Sequence, residues 1–192
     1  LERVPGESVD AELRGLSSDL VFSAEIGGRR SYICVLVEHQ STPDPRMPLR
    51  VAQYVTRLWE RHGKVVDGRL ALPLVLPLVV YHGARPWRVP LDVADALDLD
   101  ATARDAADSL LPHVRYHLDD LTMLDAEGLR ARGLQAWGAV AVWALKTAFD
   151  HGFVAAATDL LGLFQQMATA EDGAEAFATL VGYLGVVSRP GE

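Results

Sequence analysis

The sequence predicts an α/β layer followed by a helical C-terminal part. Three observations carry that expectation. Residues 19–40 hold two strand-like apolar runs around a Gly-Gly pair. An amphipathic helical pattern follows, and then a third apolar run ends at Tyr81. Beyond about residue 126 only helical patterns remain. Strand, hairpin, strand, helix, strand and then helices is the order of a mixed layer with a helical end.

Each element has a local reason. Residues 1–17 carry Pro5, Gly6 and Gly15 and read as irregular, with a helical turn at Asp10–Leu13. Asp19–Ile26 is a strand, and Gly27-Gly28 is a tight turn, because glycine accepts positive φ without steric cost. Arg30–Gln40 is rich in β-branched and aromatic residues and apolar on both faces through Val37, so it belongs inside a sheet. Ser41–Pro48 is a loop, since its prolines forbid both helix and central strand. Leu49–His62 is the clearest helix, stopped by Gly63. At 100° per residue, Val51, Ala52, Val55, Leu58 and Trp59 make its apolar face, with Arg50, Tyr54, Arg57 and Arg61 as a stripe nearly opposite. Leu74–Tyr81 is a buried strand, and Pro112–Leu118 is a short edge strand. The acidic, Ala-rich residues 91–110 read as helical turns and loop. Helices are expected at Glu127–Asp150, Val154–Met167 and Ala174–Val187. This places an α/β core at residues 1–125 and a helical region at 126–192.

Composition narrows the function classes. The chain has 192 residues with one cysteine, Cys34, which excludes a disulfide framework and a Cys-based zinc site. The longest apolar stretch, Leu70–Tyr81, is broken by Pro73 and Pro77 and is shorter than the ~18–20 residues of a membrane span. No signal peptide is visible, so the cytoplasm is the expected compartment. The chain starts at Leu1 without methionine, and upstream sequence is expected to have been cut away. The formal charge of −8 argues against a nonspecific nucleic-acid coat. Leu1–Pro90, however, carries 12 basic and 10 acidic residues, against 6 and 16 in Leu91–Glu192. A polyanion partner therefore fits the first half alone.

Three polar residues stand where the strands are otherwise apolar: Asp19, Glu38 and Gln40. Residues two apart on a strand share a face, so Glu38 and Gln40 point the same way. An antiparallel hairpin through Gly27-Gly28 brings Asp19 to the same sheet end. Two convergent carboxylates suit a hard divalent cation, which takes one or two carboxylates, waters and phosphate oxygens. Taken singly, a strand-end carboxylate is ordinarily just solvated, and an Arg stripe is ordinarily a helix's solvent face. His113 and His117 lack a third ligand, so zinc is not expected. Trp87 reads as a packing anchor and Cys34 as an inert buried thiol.

The stretch from Ser18 to Trp87 contains S-D-L-V-F, E-H-Q-S-T-P-D, R-V-A-Q-Y and P-L-V-V-Y-H-G-A-R-P-W. It resembles the Rpn family of recombination-promoting nucleases, also called YhgA-like putative transposases. The resemblance implies a PD-(D/E)XK restriction-endonuclease-like core, a mixed sheet flanked by helices in the order α-β-β-β-α-β. It implies that Asp19 is the second-motif acid and that Glu38-His39-Gln40 stands for (D/E)-x-K. Mg2+ or Mn2+ would then be held by Asp19, Glu38 and the His39 backbone carbonyl, with Gln40 placing water or phosphate. Arg50 and Tyr54 match a Q-x-x-x-Y spacing, with Arg in place of Gln. With Arg57 and Arg61 they would contact DNA or support the site. The implied activity is metal-dependent DNA endonuclease action in recombination or transposition, by a chain that crosses no membrane and is able to form a homodimer. Two departures stand out: the family's N-terminal helix is missing, and Gln40 cannot act as a cation or proton donor as lysine does. Lys64, at the helix end, is a candidate for a migrated cation. The alternative is a nuclease-fold module with weak or no catalysis that binds DNA or protein partners.

Overall fold

A computed structural model describes residues 2–4, 17–38, 42–147 and 169. The helical turn expected at Asp10–Leu13 and the helices expected at Val154–Met167 and Ala174–Val187 lie outside them. So do His39 and Gln40. The chain divides into two compact units: Leu1–His39, Pro43–Tyr81 and Trp87–Asp119 form one, and Gln40–Thr42, His82–Pro86 and Asp120–Glu192 the other.

The first unit is built on a mixed sheet. Its strands are β1 (Glu2–Arg3), β2 (Ser17–Ile26), β3 (Arg29–Glu38), β6 (Val75–Tyr81) and β7 (His117–Asp120), in that spatial order. β2 and β3 pair antiparallel through the Gly27-Gly28 turn, where φ is 60° and 71°. Either value would strain a side chain with a Cβ. β3 then pairs parallel with β6. Parallel neighbours need a crossover, and helix α1 (Met47–His62) supplies it. β3 is central, as its two-sided apolar pattern requires, and no residue from Ser31 to Val37 is exposed.

Val21, Tyr32, Cys34 and Leu36 of the sheet share one buried cluster with Met47, Val51, Tyr54, Val55 and Leu58 of α1. Each large side chain buried there contributes about 1.5–3 kcal/mol. The phase of α1 differs from the sequence reading. Tyr54 is fully buried, while Ala52 and Trp59 are only partly covered. The buried arc is therefore rolled roughly 50° toward Tyr54, counting 100° per residue. An aromatic ring offers more apolar area than Ala52, and its hydroxyl can find a polar partner when buried. Trp59 lies at the margin, with Nε1 donating to the Pro73 carbonyl at 3.1 Å.

Three further elements differ from expectation. β4 (Lys64–Val66) and β5 (Arg69–Ala71) form a separate hairpin where no element was predicted. Its turn is Asp67-Gly68, with φ 50° and 76°, the mirror-type geometry that matches strand twist. The edge strand lies at His117–Asp120, later than Pro112–Leu118. The expected helix from Glu127 is interrupted in the second unit. There, α3 (Ala126–Ala131) and α4 (Ala136–Thr147) flank Gly133, whose φ is 61°. Leu129, Ala139 and Trp143 form the core of this helix pair. Between β6 and β7, the 91–110 region holds a 3-10 turn at Val93–Ala96 and helix α2 (Ala101–Ala107).

Asp92 explains why residues 113–115 leave strand geometry. Its carboxylate is almost wholly buried and accepts from Ala94 N and Val114 N. The other oxygen meets His113 Nδ1 at 2.9 Å and Arg115 Nε at 3.0 Å. Burial works to raise the Asp92 pKa, but the bonds from His113, Ala94 and Arg115 together outweigh it and hold it down at about 2. A carboxyl depressed from 3.8 to about 2 stabilises the fold by on the order of 2 kcal/mol above its unfolded value.

Asp92→Asn should lower unfolding free energy near neutral pH by about that amount, since its amide would face two donors. The deficit relative to wild type should shrink as pH falls from about 4 toward 2, which urea titrations across pH would show. A pH-independent deficit would contradict this account. Gly63→Ala tests a different constraint. Gly63 has an ordinary φ of −63°, but a Cβ there would lie 2.5 Å from the Trp59 carbonyl oxygen, which also accepts the Gly63 N–H. The alanine should lower the melting temperature by several degrees, corresponding to roughly 1–2 kcal/mol.

Candidate functional site

The hairpin register decides where the two acids stand. Ser17 pairs with Glu38 and Asp19 with Leu36. Directly opposed residues share a face, and so do residues two apart. Asp19 and Glu38 are therefore diagonal neighbours by position, on the face that also carries Val21, Tyr32, Cys34 and Leu36. Diagonal positions lie about 7–8 Å apart between Cα atoms. Glu38 is the last residue of β3 and stands in register with Tyr81, the last of β6. Both parallel strands thus end together, at the end from which the chain enters α1. Carboxyl ends of parallel strands are where α/β sheets place their sites.

The segment entering α1 is fixed by Asp44. Its carboxylate accepts from the Arg46 N–H at 2.8 Å and from the Arg50 guanidinium at 3.2 Å, and its carbonyl accepts from Met47 N. Arg50 is thereby engaged inside the protein, with only 12% of its side chain exposed. Tyr54, placed by the sequence reading on an outward stripe, is core. Arg57 is half-buried, and Arg61 alone of the four is exposed. The stripe flanks the buried face of the helix instead of opposing it. Lys64 stands at the far end of the unit, after the last turn of α1, and is no neighbour of Glu38 along β3.

The tyrosine and tryptophan of the Y-H-G-A-R-P-W segment serve packing. Tyr81 is fully buried, and Trp87 meets it edge-on at 4.9 Å and Tyr116 at 6.4 Å. Trp87 Nε1 donates to Val89 O, and the Tyr116 hydroxyl donates to Pro90 O at 2.7 Å. Burial pushes the Tyr116 phenol up from its usual value. His82 is buried as well. Cys34 is a free, buried thiol. His113 serves Asp92, and among the described residues no group of three or more His, Cys, Asp or Glu could hold a metal ion. No helix among them is long and apolar enough to cross a membrane. The residue missed by sequence reasoning is Asp92, whose partners other than Ala94 lie more than 20 positions away.

Comparison with known proteins places the chain in a family. Recombination-promoting nuclease RpnD of Escherichia coli O157:H7 is 42% identical over 82 residues, covering 41% of this chain and 31% of that protein. Recombination-promoting nuclease RpnC of E. coli K12 is 32% identical over 110 residues, covering 57% and 36% respectively. A third relative from K12 is named inactive recombination-promoting nuclease-like protein RpnE and is 34% identical over 101 residues, covering 52% and 33%. The chain spans about a third of the length of these curated relatives. No solved structure matches. The profile described as "Putative transposase, YhgA-like" matches residues 1–175, and the chain belongs to that family.

Proposed function

We propose that the chain carries the nuclease core of a metal-dependent DNA endonuclease acting in recombination. The observation that carries this reading is the β2–β3 register, which sets Asp19 and Glu38 diagonally on one face at the end of β3. The element order supports it too. Among the described residues, three strands, a helix, the β4–β5 hairpin and a strand parallel to the third follow one another, which is compatible with the β-β-β-α-β part of a PD-(D/E)XK core. The relatives' names agree with a nuclease role in recombination.

The donor set fits a hard divalent cation. Two carboxylates and a backbone carbonyl, from Asp19, Glu38 and His39, leave room for waters and a phosphate oxygen, as Mg2+ prefers. When bound, Mg2+ or Mn2+ would supply Lewis-acid stabilisation and a more acidic water. Gln40 contributes both a donor and an acceptor, enough to orient a water against the phosphate but not to neutralise charge. Arg50 acts as a support: through Asp44 it holds the turn that opens α1. Arg57 and Arg61 offer guanidinium groups to the DNA backbone, which they would grip bidentately.

A second reading has its own support. Gln40 replaces the lysine of the motif, and one relative bears the name inactive. A chain of that kind would bind DNA or protein partners without cutting.

Plasmid cleavage separates the two. Glu38→Gln should reduce cutting at least about a hundredfold, while the melting temperature holds or rises because two facing carboxylates repel without a cation. Equal cleavage by wild type and Glu38→Gln would end the enzyme reading and leave the fold intact. Mn2+ at about 100 times its dissociation constant should stabilise wild type by roughly 2.7 kcal/mol, and Glu38→Gln much less. Arg57→Ala should flatten the salt dependence of DNA binding by about one unit of slope. It should also lower the melting temperature, since that side chain is half-buried.

A further inference from the structure

At the other end of β3, a cleft of about 470 Å³ opens between the β2–β3 turn, the last turn of α1 and the β4–β5 hairpin. Arg29, Arg30, His62 and Lys64 line it, together with Ser31 and Tyr32, and none of its lining residues is acidic. Arg29, Arg30 and Lys64 form no ion pair with any carboxylate among the described residues. The His62 ring is held in place by stacking on Tyr32, with centroids 4.3 Å apart.

Three cationic side chains in one concave site, on a chain of net charge −8, are a local inversion of the protein's field. Concave walls of low dielectric focus such a field and concentrate counter-anions. Guanidinium and ammonium groups beside a hydroxyl suit phosphate oxygens. The volume falls within the ~300–1,000 Å³ of small-ligand clefts, which admits part of one strand and not a whole duplex.

We propose that this cleft binds the sugar-phosphate backbone of a single nucleic-acid strand. It is a site separate from the two acids: Tyr32 and Glu38 are six residues apart on β3, about 20 Å at the usual rise. The proposal extends the nuclease reading by adding a holding site, yet it can stand or fall alone.

The test is binding of a fluorescein-labelled single-stranded DNA oligonucleotide to the chain in EDTA, across a salt series. Arg30→Gln/Lys64→Gln should weaken binding about tenfold and reduce the salt slope by between one and two units. Arg88→Gln/Arg130→Gln removes the same charge from exposed positions outside the cleft and should change neither. Glu38→Gln should bind as wild type does. The proposal is overturned if the cleft variant binds like wild type, or if the two double variants lose affinity equally. It is also overturned if AMP, at matched phosphate concentration, displaces the oligonucleotide, since the cleft would then be a mononucleotide site. Wild type that cuts no plasmid DNA in Mn2+ while its cleft-dependent binding stands would instead count against the nuclease reading alone.

Discussion

Parallel pairing of β3 with β6 is the constraint on which the first unit rests. Two parallel neighbours cannot be joined by a tight turn, so the chain must leave the end of β3, cross the sheet and return. α1 is that return, and it supplies five of the twelve buried residues of the main core. Because the crossover begins where β3 stops, Glu38, the end of β6 and the entry to α1 share one end of the sheet. The other end, where α1 finishes, is left to the β2–β3 turn and the β4–β5 hairpin. Asp19 and Glu38 are thus set at one end of β3 and the basic cleft at the other.

The same connection explains Arg50 and Tyr54. A helix that must start soon after a strand end needs its entry segment pinned, and no side chain caps its N-terminus. Asp44 does the pinning by accepting from the Arg46 backbone and the Arg50 side chain together. Tyr54, one turn further on, is drawn into the core by the area it can bury. Residues that look like a polar stripe on a helical wheel are thereby spent on structure near the site. Arg57 and Arg61 remain closer to the surface.

Much of this was legible in the sequence. Gly27-Gly28 fixed the hairpin, and counting outward from it placed Asp19 and Glu38 at one sheet end. The two-sided apolar run around Cys34 marked the central strand. The phase of α1 is not legible, because a helical wheel counts Ala52 and Trp59 as core and Tyr54 as polar, although the tyrosine ring has far more area to bury than alanine. The Asp67-Gly68 hairpin carries a readable turn signal, but its strands are three residues each with no buried position, so no periodicity advertises them. Asp92 was invisible for another reason. Its contact with Ala94 is an ordinary local cap, its partners at His113–Arg115 are assembled by tertiary structure, and no local pattern distinguishes it from the other acids of the 91–110 region.

Gln40 shows why holding a cation and cutting a strand are separable questions here. If Asp19 and Glu38 form the pair proposed above, the site carries two negative charges before a cation arrives. A lysine at position 40 would offset one of them. At a separation of about 6 Å and an effective dielectric near 20, one unit charge changes the energy of another by roughly 3 kcal/mol. A neutral glutamine therefore leaves the pair more attractive to a divalent cation. It also removes an attraction of similar size, per unit charge, for the scissile phosphate. The substitution thus shifts electrostatic stabilisation away from the phosphate and toward the cation. Metal affinity and cleavage rate need not move together across relatives that differ at this position. A relative could keep the first and lose the second with its fold untouched.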